Sequence, residues 1–170
     1  MCGGADEGVK YMESNIVVNR IEKVREYVDD VLLNMTDDVE RRCAYVHLYG
    51  VAQACTMIAQ KRKENAELAV VAGMLHDISS YQTMDRRDHA HRSAVMAKEI
   101  LEKLGLFTDA EIDTMCDAIY RHSDKAEKYP SLAEVLIDAD VFQHCLYNPL
   151  IAPAEHEKER FEALKREFGL

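Results

Sequence analysis

The chain has 170 residues, 48% of them hydrophobic and 31% charged, the balance of one globular domain with a core of its own. Its formal charge is −10, from 21 basic and 31 acidic residues, which argues against a broad surface for long nucleic acid. No stretch approaches 18 apolar residues, so no membrane span is expected, and the start Met1-Cys2-Gly3-Gly4 lacks the apolar run of a signal peptide.

Residues 1–14 read as a flexible leader and 15–170 as a single domain. The apolar period is helical almost throughout, with no alternating strand pattern. Val17, Ile21, Val24, Val28 and Val31 form a stripe that predicts a helix over 15–34. Thr36 is placed to cap a second helix, whose apolar face is expected to hold Val39, Cys43, Val46, Gly50, Val51, Ala54 and Ile58. Asn65 can cap a third. From 66 to 78 this helix is apolar nearly all round, which predicts a buried central position. Residues 79–88 are polar and read as a loop. A fourth helix from about 89 stops at Gly105.

Thr108 and Glu111 have capping-box spacing for a fifth helix, to about 122. Ser131 and Glu134 repeat that spacing for a sixth, to about 143. Pro153 is placed to open a seventh, charged helix. The fold class is therefore all-α, about seven helices in one bundle, with the second and third at its centre. The five cysteines form no CxxC pair. Cys43, Cys55 and Cys116 read as small core residues of a protein kept in a reducing cytoplasm.

Several histidines stand where the helical pattern calls for apolar residues. His47 lies four from both Cys43 and Val51. His76 and Asp77 close the most apolar helix, where a carboxylate is costly unless paired or bound to a cation. Turning the fourth helix at about 100° per residue places His89 with Met96, Ile100 and Leu104, and His91 on the polar side with Lys98 and Glu102. His122 extends the stripe of Ile112, Met115 and Ile119. Asp140 falls at the apolar edge of its helix, whereas Asp138, four after Glu134, falls on the polar side. His144 and His156 read as bystanders. Imidazoles with carboxylates suit iron, manganese, zinc, cobalt or nickel, and six such ligands exceed the need of a single tetrahedral ion.

The order His47, His76-Asp77, Asp140 resembles the H…HD…D motif of the HD superfamily of metal-dependent phosphohydrolases. The segments VHLYGVAQAC, LAVVAGMLHDIS, DHAHRSAVMAKEIL, AIYRHS and IDADVF are similar to that family's consecutive helices, over roughly 38–145. The added His89 and His122 resemble its binuclear subset. The resemblance implies one or two divalent transition-metal ions held by His47, His76, Asp77, His89, His122 and Asp140. In it Asp77 is the catalytic bridge, and a metal-activated water attacks a small phosphorylated substrate, with a nucleotide the expected case.

Many members carry a lysine soon after the HD pair, and here Ile78-Ser79-Ser80-Tyr81 follows instead. Lys125 and Arg86 are then the nearest basic candidates for binding substrate. An HD-type di-iron oxygenase and a non-catalytic metal-binding or sensing module are the alternatives on the same residues.

Overall fold

The computed structural model describes residues 19–170, so the leader expected over 1–14 lies outside the described residues, as does Val17. Among the described residues there are eight α-helices, one 3-10 turn and no strand. The helices are α1 (Arg20–Leu33), α2 (Asp38–Arg62), α3 (Ala66–Leu75), α4 (Ile78–Thr83), α5 (His89–Leu104), α6 (Asp109–Arg121), α7 (Ser131–Tyr147) and α8 (Lys158–Phe168). The 3-10 turn spans Glu155–Glu157, just before α8. None of these helices is long and apolar enough to cross a membrane.

The centre is the α2–α3 pair, as the apolar run predicts. α3 packs on α1, α2, α5, α6 and α7 and buries Leu68, Ala69 and every residue from Val71 to Leu75. Its approach to α2 is close: a Cβ at Gly73 would stand 2.9 Å from the backbone of Ala52. The buried face of α2 is correspondingly Ala44, Leu48, Val51, Ala52, Cys55, Ile58 and Ala59. This corrects the expected face. Val39, Cys43 and Val46 are exposed, because α2 is turned so that Ala52 and Cys55 lie against Gly73 of α3.

Local chemistry sets the boundaries. Asn19 caps α1 through Glu22 N–H, so α1 starts at Arg20, and residues 15–18 of the expected helix lie outside the described residues. Asp37, not Thr36, caps α2, accepting from the N–H groups of Val39 and Glu40. Thr108 and Glu111 form both arms of a capping box. The box expected at Ser131 does not form, because Glu134 turns instead to Arg160, Lys128 and Tyr129 N–H. α7 runs to Tyr147 rather than to about 143, and Pro153 precedes α8 without opening it.

Residues 79–83, expected as part of the loop over 79–88, are helical and belong to α4. Ser79, Ser80 and Tyr81 are buried, and the Ser79 hydroxyl meets that of Ser93 at 2.9 Å. The Ser79 and Thr83 hydroxyls are bonded within the fold, so their polarity does not mark a loop.

Candidate metal centre

The central helix ends at Leu75, three residues before the end of the apolar run at 78. His76 still has helical backbone, Asp77 leaves it at φ −115° and ψ 14°, and α4 begins at Ile78. That break between two buried helices turns adjacent side chains into one space. His47 reaches it from the middle of α2, His89 from the first turn of α5, His122 from the end of α6 and Asp140 from α7.

Two sets of atoms form around Asp77. Its Oδ2 lies 3.5 Å from His47 Nε2 and 3.8 Å from His76 Nε2. Asp140 Oδ1 closes that set, 3.7 Å from His47 Nε2 and 3.9 Å from His76 Nε2. The other oxygen of Asp77, Oδ1, lies 3.4 Å from His122 Nε2 and 3.6 Å from His89 Nε2. His47, His76 and Asp140 offer ligand atoms within 4.8 Å of one another, as do His76, Asp77 and His122. Donors at ~2.0–2.2 Å from an ion stand ~3–3.6 Å apart, close to these spacings.

The tautomers agree with this use. Nδ1 donates to Gly73 O in His76, to Ile119 O in His122, to Arg86 O in His89 and to Gln143 Oε1 in His47. Each imidazole therefore presents the lone pair of Nε2 to the centre. His47 Nε2 and His76 Nε2 face each other at 3.0 Å, so with both rings neutral and protonated on Nδ1 two lone pairs meet. Asp77 Oδ1 and Asp140 Oδ1 are buried without a hydrogen-bond partner among the described residues. Such a set is repulsive until a cation enters it, so the residues present fit a divalent ion.

Burial depresses the His76 pKa to about 3 and keeps the ring neutral. Burial also opposes charge on His47, but Asp77 and Asp140 outweigh it and raise its pKa. For the two aspartates burial would raise the pKa. The facing imidazoles, and for Asp140 first the Lys125 ammonium, hold both below the ordinary carboxylate range.

The remaining candidates separate. His91 turns away from the centre, with Nδ1 2.7 Å from Asp88 Oδ1 and its ring stacked on Tyr120. Arg86 is largely exposed, pairs with Glu40 and lines a cavity of about 330 Å³ over His47, Asp77 and His89. A larger cavity of about 620 Å³, by Tyr45 and Tyr49, contains none of the converging ligand atoms.

Lys125 lies beneath Asp140 rather than in the cavity over the centre. Its Nζ is 2.9 Å from Asp140 Oδ2 and 2.6 Å from Glu157 Oε1. Asp138, expected on a polar face, is buried, because Arg62 and Arg160 neutralise it at 2.8 and 2.7 Å. His144 reads as a bystander in the sequence, yet its ring stacks on His47 and its Nε2 lies 3.4 Å from Asp140 Oδ1. Its position four after Asp140 was the available signal, since that spacing puts both on one side of a helix. Glu157 carried no such signal within its charged surroundings.

The HD domain family model matches residues 44–144, a span that contains all six converging residues. No curated protein and no solved structure matches the chain significantly.

Proposed function

The chain belongs to the HD domain family, and on that premise we propose that it is a metal-dependent phosphohydrolase acting on a small phosphorylated molecule, a nucleotide being the expected case. The observation that carries this reading is the division of Asp77. One of its oxygens faces His47 and His76, the other faces His89 and His122, and the second is left without a hydrogen bond. Such a carboxylate suits a bridge between two divalent ions, with His47, His76 and Asp140 on one side and His89 and His122 on the other.

Divalent iron, manganese, zinc, cobalt or nickel, when bound, would lower the pKa of water and offset charge building on phosphoryl oxygens. The chain's part is to hold five donors around one carboxylate with their tautomers already set, so little reorganisation accompanies reaction. Asp77, Asp140 and Glu157 against Lys125 leave two negative charges in excess. One divalent ion balances that excess, and a second makes the centre attractive to a phosphate dianion.

Arg86 stands at the rim of the cavity, where its guanidinium can meet a phosphate oxygen. A space of about 330 Å³ takes a small molecule, and the acidic surface disfavours a long nucleic acid.

The test is metal analysis of protein purified without chelator, then phosphate release from a panel of nucleotides and phosphate esters with that metal restored. Release from a small phosphate supports the reading. Preference for a polynucleotide over every small phosphate would overturn its substrate class. Oxygen uptake by an iron-loaded protein without phosphate release would make it an HD-type oxygenase. Tight metal with no turnover would make it a sensing module.

A further inference from the structure

Asp140 has two oxygens with different surroundings. Oδ1 faces the imidazoles and lacks a hydrogen bond, while Oδ2 accepts from Lys125 Nζ at 2.9 Å. Lys125 is itself gripped at two points by neighbouring turns of the C-terminal segment. Glu157 Oε1 accepts from its ammonium at 2.6 Å, and Arg160 Nε donates to its backbone carbonyl at 2.7 Å. Arg160 also donates to Glu127 O, in the same loop, and is anchored by Asp138 and Glu134 of α7. Glu157 accepts a further hydrogen bond, from Nδ1 of His144 at 3.0 Å, and His144 stacks on His47. Glu157 is only 4% exposed although it lies in a short 3-10 turn. Both Glu157 and Arg160 fall beyond the residues that match the family.

A carboxylate that is buried, charged and shared between an ammonium and an imidazole is costly to keep unless its partners need it. Here each partner leads to the metal centre. We propose that Lys125 and Glu157 are positioning residues for that centre: the ammonium fixes Asp140 with Oδ1 alone toward His47 and His76, and the Glu157 carboxylate fixes the ammonium.

The chemistry gives the direction. With Glu157 in place the Lys125 charge is divided between two carboxylates. Without the Glu157 charge it falls wholly on Asp140, which then competes less well for a cation. The inference rests on the reading that Asp140 takes part in holding a divalent ion. It adds that the C-terminal segment tunes the strength of that hold.

The experiment is cobalt(II) titration of the metal-free full chain, followed by visible absorption, with far-ultraviolet circular dichroism on every sample. Glu157→Gln keeps the side-chain volume and removes the charge. It is expected to weaken cobalt binding ~10-fold, the lower end for residues that support metal ligands. Glu155→Gln, exposed in the same turn, is expected to leave binding unchanged.

In a Lys125→Met background the effect of Glu157→Gln is expected to shrink below ~3-fold, since residues acting through one another are not additive. Equal effects in both backgrounds, or no effect in either, would overturn the positioning role while leaving the metal reading intact. A wild type that takes up no cobalt would overturn both. If Lys125→Met fails to fold, Glu157→Gln beside Glu155→Gln still decides: equal affinities refute the proposal.

Discussion

Two buried acidic clusters meet on α7, one around Asp138 and one around Asp140, and they are satisfied in different ways. Both aspartates are 4% exposed. Around Asp138 the positive charge comes from the protein: Arg62 and Arg160 take both oxygens, and Glu134 and Glu167 complete the network. Around Asp140 and Asp77 it does not. Lys125 takes one oxygen of Asp140, four imidazole lone pairs point inward, and two carboxylate oxygens are left without a hydrogen bond. Burial is common to both, so burial does not mark the functional cluster. The unfilled demand for positive charge does.

Neutralising Asp77 is the strongest way to break this comparison. Asp77→Asn keeps the volume and removes the charge that, on the proposed reading, offsets two cations. Turnover should be lost and the metal content should fall, while the circular dichroism stays helical. Metal content is measured against the wild type by elemental analysis.

The opposite cluster should respond in stability. Arg160→Met leaves Asp138 and Glu134 short of a buried partner, and the expected cost is ~3–5 kcal/mol in denaturant unfolding. Asp140→Asn in metal-free protein should cost less than Arg160→Met, since Oδ1 has no bond to lose and Lys125, which pairs with Oδ2, keeps Glu157. Equal losses for the two variants would make both clusters structural.

How far the sequence reveals this contrast depends on which signals are local. The unbroken helical period, the Asn65 and Thr108 caps and the stop at Gly105 are written in a few neighbouring residues, and the structure has them. The apolar face of α2 is not local. It is set by how α2 lies on α3, with Ala52 and Cys55 against Gly73 and with Val39 and Val46 left outside.

The site divides similarly. The structure brings His47, His76, Asp77, His89, His122 and Asp140 together, as the motif order and the helical faces indicate. The charge partners across the fold were hidden. Asp138 looked polar beside Glu134 because both answer Arg160, twenty residues or more along the chain. The sequence offers Lys125 as a candidate for binding substrate, because the two carboxylates that hold it come from different elements.

A smaller effect sharpens the boundary of the centre. His89→Ala should lower metal content or activity by at least ~10-fold, in line with lost metal-site groups. His91→Ala should leave both within ~2-fold, because its ring lies on Tyr120, half exposed. A reversed order would place the second histidine set elsewhere on α5.

The smallest effect belongs to the rim. Arg86 is exposed and the proposed contact with a phosphate would be worth ~1 kcal/mol, so Arg86→Ala should raise KM about 5-fold with kcat little changed. A fall in kcat alone would place Arg86 at the reacting atoms rather than at the rim.

The central claim is that one carboxylate divides two histidine sets, each ready for a cation. It is tested most directly by anomalous diffraction from crystals of the wild-type chain grown with manganese(II) or cobalt(II), the signal collected at the metal edge. The account predicts two peaks flanking Asp77, one among His47, His76 and Asp140 and the other beside His89 and His122. A fully ordered site with no peak at either position would contradict it.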